Sequence, residues 1–516
     1  MKAADLPLYY NMCTILEHNL ETRADKTALI SADGSMTFGE VSSQVNQVGN
    51  ALLRCGVGFG DRVAILCPDQ PEWVTSFFAV AKIGGVALGV NTLLKTAEYD
   101  HILGDSRARV LIVHDSLLGV IEPVLSNHPT LQKVILIGDA ADTGHTAFSD
   151  WIDAEDTTLE AERTHRDDFC SLHYSSGTTG MPKGVLHAHK DYPLIAQLSG
   201  VDLFGLTEDD RTFSVAKLFF VYGIGGNLIF PWYVGASCVL HAGSPRQAAA
   251  VLKTIETHKP TIFVCVPTVY GAILALPGFN ERYDLGSIRM CLSAGEPLPA
   301  RVWQSFKDAT GLEILDTIGC TETYHTFMAN RPGAIRPGSS GKPIAGYDVR
   351  LVDDDGNPVP VGQVGHLMVR GESTALFYLH QFEKSRHTFR GEWLFTGDRY
   401  RVDEDGYYWH QGRGDDMLKV GGLWVSPAEI ETVLGEHAAV AECAVIGHHD
   451  NAGLLKPKAF VCVRDNFEPS DELLGELLKL CAGRLEAHKR PRWLVFIDAL
   501  PRTATGKLQR FRLREQ

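Results

Sequence analysis

The chain has 516 residues, of which 45% are hydrophobic and 22% are charged, and its formal net charge is −15 at pH 7. This length exceeds what one hydrophobic core usually supports, so we expect two or more domains. The acidic balance argues against a general affinity for nucleic acid or anionic membranes. Scattered cysteines without a Cys-x-x-Cys pair, and an N-terminus without an apolar signal core, predict reduced thiols in a cytoplasmic protein without a membrane span.

Residues 1–170 predict helices that alternate with buried strands. Helical apolar spacing covers Val41–Leu53, and Asp69 is placed to cap a further helix that carries Glu72 three residues on and ends near Ile83. Short and almost continuous apolar runs predict strands at Arg62–Cys67, Arg109–His114 and Lys133–Gly138. This alternation predicts an α/β fold with a largely parallel sheet.

A second α/β subdomain is predicted over about 185–330, with apolar strands at Thr261–Pro267 and Ile288–Leu292. From about 335, short strands and Asp-Gly turns predict a small β-rich subdomain. The run GRGDD at 412–416 is the best candidate for a domain boundary. We therefore predict a large N-terminal domain, residues 1–413, and a small, mobile α+β C-terminal domain, residues 414–516.

The C-terminal domain has helix and strand signals of its own. Ser426 is predicted to cap a helix, because Pro427 stands at the first helical position and Glu429 at the capping-box position. Further predicted elements are the strands Cys443–Ile446 and Ala459–Val463 and the helix Asp471–Ala487.

Between the two α/β segments lies a run of small, hydroxylated and flexible residues, YSSGTTGMPKG at 174–184. Its glycines leave backbone N–H groups accessible, its hydroxyls add donors, and its lysine adds a positive charge. This combination predicts a phosphate-binding loop made of Ser175, Ser176, Gly177, Thr178, Thr179, Gly180 and Lys183. The alternative is a surface linker of similar composition, and the spacing is not that of a P-loop.

Charged residues elsewhere are suited to a nucleotide. Glu322, which follows Thr321, is suited to hold Mg²⁺, although an ordinary helix cap is the alternative. Asp398 follows a tight glycine turn and suits the two hydroxyls of a ribose, with Arg413 fifteen residues on, although a solvated turn aspartate is the more common case. Lys507 lies in a charged C-terminal segment, where a solvated surface lysine is the usual case.

The stretch KLFFVYGIGGN at 217–227 combines aromatic residues with glycines. Such glycines let the backbone make room for a flat ligand, although aromatic residues on a core helix are the usual explanation. No Asp or Glu occurs from Ser214 to Ser237, which disfavours a substrate with an ammonium group.

In combination, six ordered motifs resemble those of the adenylate-forming superfamily, which comprises acyl-CoA synthetases, adenylation domains and luciferases. The motifs are YSSGTTGMPKG (174–184), SAGEPL (293–298), IGCTE (318–322), FTGD (395–398), GRGDDMLKVGG (412–422) and PRTATGK (501–507). Within the superfamily, four stretches resemble the benzoate and hydroxybenzoate CoA ligases: residues 216–231, 319–333, 390–400 and 415–431.

The resemblance implies an aryl-CoA ligase with the adenylate-forming fold. A small aromatic carboxylate reacts with Mg-ATP to give acyl-AMP and pyrophosphate, and the thiol of coenzyme A then attacks the acyl-AMP. The loop at 174–184 holds the β- and γ-phosphates in this scheme. The other implied roles are the α-phosphate contact (Thr321), the Mg²⁺ ligand (Glu322), the ribose contacts (Asp398 and Arg413), the adenine site (Gly295, Glu296, Pro297, with Asp316 also in the nucleotide site) and the catalytic lysine (Lys507).

The resemblance also implies a moving C-terminal domain and a pocket for the acid. Asp415 is the hinge, and a tunnel for coenzyme A is lined by Lys419, Gly421 and Gly422. The acid pocket contains Lys217, Phe220, Tyr222, Gly319 and His325. A neutral His325 would donate to the carboxylate before activation, although a core histidine paired to the backbone is the alternative. Cys320 and the Thr323-Tyr324 pair depart from the family pattern, so a hydroxy-, amino- or halobenzoate, or a heteroaromatic acid such as furoate, stays open.

Three alternatives remain at this point. The acid can be cinnamate-like or of medium chain length, or the enzyme can be a stand-alone adenylation enzyme that serves a carrier protein or an amine. A non-enzymatic ATP-binding module is the third alternative, and it would require the loss of Lys507 or Glu322. We expect a monomer or homodimer that binds neither nucleic acid nor membrane.

Overall fold

The computed structural model describes residues 1–175, 181–420, 423–451, 453–502 and 508–514, without the side chains of Asp415 and Trp424. The chain divides into two compact units. The first contains Met1–Asp348 and Arg370–Leu394, and the second contains Val349–Val369 and Phe395–Gln516. A boundary between residues 413 and 414 stays a prediction. Among the described residues, no helix has the length and apolar character needed to cross a lipid bilayer.

The described residues form β-strands throughout both units. In chain order these are β1 (Thr27–Ser31), β2 (Gly34–Thr37), β3 (Arg62–Leu66), β4 (Val86–Gly89), β5 (Val110–His114), β6 (Lys133–Ile137), β7 (Thr146–Ala147), β8 (Phe169–Ser175), β9 (Lys183–Ala188), β10 (Arg211–Ser214), β11 (Ser237–Val239), β12 (Ile262–Cys265), β13 (Met290–Ser293), β14 (Ile314–Gly319), β15 (Thr326–Ala329), β16 (Lys342–Pro343), β17 (Tyr347–Val352), β18 (Val364–Gly371), β19 (Phe389–Arg390), β20 (Trp393–Val402), β21 (Tyr408–Arg413), β22 (Leu418–Val420), β23 (Leu423–Val425), β24 (Val440–His449), β25 (Leu455–Val463) and β26 (Trp493–Phe496).

Helices alternate with these strands. They are α1 (Thr14–Glu17), α2 (Leu20–Arg23), α3 (Phe38–Arg54), α4 (Pro71–Lys82), α5 (Thr96–Ser106), α6 (Asp115–Leu125), α7 (Phe148–Asp153), α8 (Asp191–Ile195), α9 (Val221–Ile224), α10 (Phe230–Val234), α11 (Ala248–His258), α12 (Pro267–Leu274), α13 (Phe279–Arg282), α14 (Ala300–Thr310), α15 (Phe382–Thr388), α16 (Pro427–Gly435), α17 (Asp471–Arg484) and α18 (Arg510–Leu513). A π-helical segment, Gly225–Ile229, joins α9 to α10.

The first large sheet of unit 1 is buried on both faces. Its order is β7-β6-β5-β3-β4-β8-β9, and its pairs are parallel except for β8 with β9. Val63 and Ile65 of β3 lie in one buried cluster with Phe77 of α4. Ala64 and Leu66 lie in another cluster on the opposite face. Burial on both faces explains why these strands are almost continuously apolar in sequence.

The second large sheet of unit 1 collects three of the sequence motifs at one edge. Its order is β16-β15-β14-β13-β12-β10-β11-β1-β2. Strands β10, β12, β13 and β14 are neighbours and run parallel, so their carboxyl ends meet at the same edge. The segments at 215–220, 294–297 and 320–322 follow β10, β13 and β14 directly.

Unit 2 contains a sheet in the order β24-β25-β26 and the hairpin β22–β23. The side chain of Ser426 accepts a hydrogen bond from Glu429 N at 3.3 Å, which confirms the predicted cap of α16. Strands β20 and β21 pair antiparallel and set Asp398 opposite Arg413.

The predicted α/β class is confirmed, and one predicted helix cap is wrong. Gln70 rather than Asp69 stands at the N-cap of α4, and no side chain caps the helix there. Asp69 accepts a hydrogen bond from Leu218 N at 3.0 Å instead. The local pattern did not reveal this because the partner lies 149 residues away.

Candidate active site

Glu322 lies on a short 3-10 helix, Thr321–Thr323, directly after β14. It is 9% exposed, and its Oε1 accepts hydrogen bonds from Lys183 Nζ at 2.7 Å and from the Tyr378 hydroxyl at 2.6 Å. Burial raises the pKa of Glu322, but the charge of Lys183 and these two hydrogen bonds outweigh it and lower the pKa to about 2. The carboxylate is therefore ionised at neutral pH.

Tyr378 completes this cluster, and the sequence reasoning missed it. Lys183 Nζ also donates to the Tyr378 hydroxyl at 2.7 Å and lies 4.0 Å from the centre of its ring. The backbone holds the tyrosine in place, because Leu379 N donates to Gly184 O at 2.8 Å. Lys183, Glu322 and Tyr378 thus form one hydrogen-bonded group, which we call the Glu322 cluster.

The predicted phosphate loop connects β8 to β9. Ser175 and Lys183, at its two ends, are partners in the antiparallel register. The loop residues Ser176, Gly177, Thr178, Thr179 and Gly180 lie outside the described residues, so their contacts with phosphate stay a prediction.

Helix α5 holds both ends of this loop. The Tyr174 hydroxyl donates to Asp105 Oδ2 at 2.6 Å, and His101 Nε2 donates to Pro182 O at 2.9 Å. His101 and Asp105 are four residues apart and therefore share one face of the helix. Two hydrogen bonds from one rigid helix fix the distance between the start and the end of the loop.

Asp316 and Gly295 belong to neighbouring strands of the second sheet. Asp316 is the register partner of Ser293, which ends β13. Burial raises the pKa of Asp316 to about 8, and its Oδ1 has no hydrogen-bond partner among the described residues. Gly295 has a φ of +90°, a left-handed conformation that favours glycine and turns the chain toward Glu296 and Pro297. The structure therefore places these predicted nucleotide residues at one sheet edge.

Tyr222, Gly319 and His325 lie together, as expected for a common pocket. The ring centroids of Tyr222 and His325 are 5.4 Å apart, and Phe230 lies 4.6 Å from the same imidazole. A Cβ at Gly319 would lie 2.2 Å from His325 O, and a Cβ at Gly225 would lie 2.4 Å from its Cδ2. Both positions require glycine for this close approach.

His325 is a neutral imidazole that already has protein partners. It is 3% exposed, and burial lowers its pKa to about 4. Its Nε2 lies 3.3 Å from Tyr222 O, which can only accept, so Nε2 carries the proton. Its Nδ1 accepts from the Thr326 hydroxyl at 3.0 Å. Donation to a substrate carboxylate would require Nε2 to leave Tyr222 O.

Lys217 has its ammonium engaged elsewhere. Lys217 Nζ donates to His241 O and, at 2.7 Å, to Gly243 O, and it lies 4.0 Å from Asp69 Oδ2. Burial lowers the pKa of Lys217 and raises that of Asp69 to about 6. The described hydrogen bonds of this ammonium thus go to residues 241–243 and not to Tyr222 and His325. Phe220 packs on Phe219 with ring centroids 4.5 Å apart.

The turn that carries Glu322 contains the residues that depart from the family pattern, namely Cys320, Thr323 and Tyr324. Tyr324 has a φ of +68°, and its fully buried ring packs on Tyr192 at 4.6 Å. Its side chain therefore belongs to the core. Cys320 Sγ and Thr323 Oγ1 lie 3.5 Å apart within the turn.

In unit 2, Asp398 is paired with two basic residues. Arg413 Nη1 donates to Asp398 Oδ1 at 3.0 Å, and His410 Nε2 lies 3.8 Å from the same oxygen. Burial raises the pKa of Asp398, but the contacts with His410 and Arg413 outweigh it and hold the pKa below its ordinary value. The predicted pair Asp398 and Arg413 is therefore adjacent, and His410 is an addition that the sequence reasoning missed.

The predicted hinge and tunnel residues are described only in part. The backbone at Gly414–Asp416 forms a 3-10 turn, and Lys419 lies exposed on β22. Next to the hinge position, Asp416 accepts from Arg514 at 2.9 Å. Gly421, Gly422 and Lys507 lie outside the described residues, so their roles stay predictions.

The AMP-binding enzyme family matches residues 16–379, and the C-terminal domain of AMP-binding enzymes matches residues 429–507. This chain belongs to the AMP-binding enzyme family. The predicted superfamily is thereby confirmed.

Three relatives of this AMP-binding enzyme are similar over almost the whole chain. A benzoate–CoA ligase of Thauera aromatica is 42% identical, with 99% of this chain and 97% of that protein covered. The crystal structure of the anthranilate CoA ligase AuaEII in complex with anthranoyl-AMP is 58% identical, with a TM-score of 0.96 and coverage of 100% and 98%. A benzoate CoA ligase from Burkholderia xenovorans LB400 is 39% identical, with a TM-score of 0.90 and coverage of 98% and 100%.

Proposed function

We propose that this protein is an AMP-forming aryl-CoA ligase. It activates a small aromatic carboxylate with ATP as acyl-AMP, releases pyrophosphate, and transfers the acyl group to coenzyme A. A free carboxylate is a poor acyl donor because oxide is a poor leaving group, whereas AMP leaves readily. The observation that carries the proposal is the Glu322 cluster, since it sets an ionised carboxylate and an ammonium at the end of the phosphate loop. Phosphoryl chemistry requires this kind of charge placement.

The Glu322 cluster fits a magnesium ion. Mg²⁺ prefers oxygen ligands and often binds through one or two carboxylates together with substrate phosphates. Glu322 is ionised, and its described hydrogen bonds use Oε1. We assign Glu322 as the protein ligand of Mg²⁺ and Thr321 as the contact of the α-phosphate. The ion, when bound, would neutralise phosphate charge, while the Tyr378 hydroxyl keeps the carboxylate in place.

The nucleotide residues are assigned by chemistry and motif together. The loop from Ser175 to Lys183 holds the β- and γ-phosphates. The ionised Asp398, with Arg413 beside it, accepts hydrogen bonds from the ribose hydroxyls. Asp316 has a buried oxygen available at the sheet edge where Gly295, Glu296 and Pro297 follow β13, which suits the polar edge of adenine.

The C-terminal domain supplies the remaining roles of the proposal. Lys507 bridges the substrate carboxylate and the α-phosphate during adenylation. The domain, residues 414–516, then turns about Asp415, so that the tunnel residues Lys419, Gly421 and Gly422 face the arm of coenzyme A. Such an exchange serves two reactions at one site, because pyrophosphate has to leave before the thiol arrives.

We propose a benzoate-like acid as substrate, with 2-aminobenzoate as the first candidate. The 58% identical structure contains anthranoyl-AMP, which supports this choice over benzoate. An amino group on an aromatic ring is uncharged at neutral pH because its lone pair is delocalised, so the lack of acidic residues from Ser214 to Ser237 is compatible with it. Hydroxybenzoates, furoate, cinnamate-like acids and medium-chain acids are the alternatives.

A panel of acids with ATP, Mg²⁺ and coenzyme A tests the proposal by the formation of AMP and thioester. The panel contains 2-aminobenzoate, benzoate, 4-hydroxybenzoate, 2-furoate, cinnamate and octanoate. The highest kcat/KM is expected for a benzoate-like acid, and AMP formation with octanoate alone would contradict the aryl assignment. AMP formation that requires an amine or a carrier protein in place of coenzyme A would contradict the ligase assignment.

Lys507→Ala separates the two half-reactions. We expect the variant to lose acyl-AMP formation and to retain thioester formation from supplied acyl-AMP. An equal loss in both steps would show that the assigned role of the lysine is wrong.

A further inference from the structure

His187 contacts the backbone of the turn that carries Glu322. It lies on β9 four residues after Lys183, and therefore on the same face of the strand. Its Nε2 lies 2.7 Å from Thr321 O. Because a carbonyl oxygen can only accept, Nε2 carries the proton and donates. The side chain is fully buried, so water does not compete for this hydrogen bond.

Asp191 fixes the other side of the imidazole. Its Oδ2 lies 2.8 Å from His187 Nδ1 and accepts from Ala188 N at 3.0 Å. The ring of Tyr324 packs edge-on against the imidazole with centroids 4.9 Å apart. Hydrogen bonds at both nitrogens and a packed face leave the ring one orientation.

Strand β9 therefore holds the turn at two points. Lys183 binds the carboxylate of Glu322, and His187 binds the carbonyl of Thr321. The first contact is available for exchange, because the carboxylate and the ammonium are the groups that a metal-bound polyphosphate also engages. The second contact is to the backbone, so it persists when Glu322 changes partner.

We propose that His187 is a positioning residue that sets the Thr321–Glu322 turn for acyl-AMP formation. This inference rests on the function proposed above. Without the hydrogen bond to Thr321 O, the turn is free to shift relative to the phosphate loop. A shift of about 1 Å in a reacting group costs on the order of 100-fold in rate. The thioester step starts from acyl-AMP, which retains the α-phosphate that Thr321 contacts but has lost the β- and γ-phosphates together with the need for the Mg²⁺ that Glu322 holds. We therefore expect the thioester step to be affected less.

Two substitutions of His187 and one of His189 test the proposal. In H187N the amide is too short to reach Thr321 O, whereas in H187Q the amide N–H reaches about as far as Nε2. His189 is the matched control, since it is equally buried nearby and accepts from Met12 N at 2.9 Å, away from the turn. The measurements are the kcat and KM for acyl-AMP formation, thioester formation from supplied acyl-AMP, and the melting temperature.

We expect H187N to lower the kcat of acyl-AMP formation by about 10- to 100-fold and that of thioester formation, which retains only the α-phosphate contact, by about threefold or less. H187Q restores acyl-AMP formation to within about threefold of the wild type, and H189N leaves both half-reactions within about twofold. The split between the half-reactions and the rescue by glutamine distinguish positioning from a loss of stability.

Each contrary outcome has a definite meaning. If H187N and H189N lower acyl-AMP formation equally, or if H187N lowers both half-reactions equally, the inference is overturned. Should H187N fail to fold, a folded H187Q with a tenfold or larger loss of acyl-AMP formation overturns it as well. A wild-type protein that forms no AMP with any aromatic acid overturns the proposed function, and the inference falls with it.

Discussion

Glu322 and His325 are three residues apart and similarly buried, but only one of them is charged at neutral pH. Burial favours the uncharged form of both side chains. Glu322 has Lys183 and the Tyr378 hydroxyl as partners, and its pKa falls to about 2. His325 has only uncharged partners in its described hydrogen bonds, and its pKa falls to about 4.

The difference shows that the partner, and not the depth of burial, decides the charge at this site. The charged partner of Glu322 lies 139 residues away on β9. One short segment after β14 thus has a charged end, suited to phosphates and a metal, and an uncharged end, suited to an aromatic ring. The aryl-CoA ligase proposed above requires both kinds of surface next to each other.

The largest expected effect comes from removing the charge of Glu322. Glu322→Gln keeps the shape of the side chain but removes the ligand charge and leaves Lys183 without its counterion. We expect the kcat of acyl-AMP formation to fall by about 100-fold or more. Pyrophosphate release with the preferred acid measures it. The control is Glu313→Gln, which changes a partly exposed glutamate just before β14 that is paired with Lys307. A loss of less than tenfold would contradict the assigned role.

The second prediction concerns His325, the uncharged residue, and the stability of the protein at acidic pH. The pKa of His325 is lower in the folded protein than its ordinary value of 6.5, so the unfolded state binds more protons between pH 6.5 and 4. The free energy of unfolding is therefore highest above pH 6.5, where this histidine is uncharged in both states, and it decreases as the pH falls toward about 4. At pH 5 the loss is roughly 2 kcal/mol.

His325→Phe removes this titration. The difference in the free energy of unfolding between wild type and variant, measured with urea, is expected to shrink by roughly 2 kcal/mol from pH 7.5 to pH 5. Replacement of the exposed His18 by Phe serves as the control. A difference that stays constant over this pH range would show that His325 does not titrate as the structure predicts.

Tyr378→Phe tests the hydrogen bonds that help to keep Glu322 in place. The variant loses both hydroxyl contacts but retains the ring beside Lys183. A hydrogen bond to a charged group contributes about 1.5–3 kcal/mol, so we expect a loss of about tenfold or more in the kcat of acyl-AMP formation. Tyr270→Phe is the control, because its hydroxyl donates to Leu292 O, away from the cluster. Equal effects of the two substitutions would contradict a specific role for Tyr378.

The smallest effect is expected for Tyr222, whose ring lies beside His325 at the uncharged end of the segment after β14. The Tyr222 hydroxyl donates to Cys265 O at 3.2 Å, a contact between uncharged groups that anchors the ring. Tyr222→Phe is expected to raise the KM for the aromatic acid by about threefold or less and to leave kcat unchanged. Steady-state kinetics over a range of acid concentrations measures both values. A fall in kcat as large as that in Tyr378→Phe would remove the distinction between the two ends.

Much of the fold follows from local patterns in the chain. The continuous apolar runs at β3, β5 and β6 predicted buried parallel strands because both faces of that sheet are covered. The motifs predicted that Thr321, Glu322, Asp398 and Arg413 serve a nucleotide, and the structure places Asp398 beside Arg413. These patterns are local, so they are readable without knowledge of which strands are neighbours.

Tertiary structure alone decided the partners of these residues. The hydrogen bonds from Lys183 to Tyr378 and from His187 to Thr321 join residues 195 and 134 positions apart. Asp69 pairs with Leu218 N rather than capping α4. The sequence by itself determined the residue types and the strands that carry them. Strand order and the packing of distant segments determined which of them meet, and thereby which carboxylate is charged.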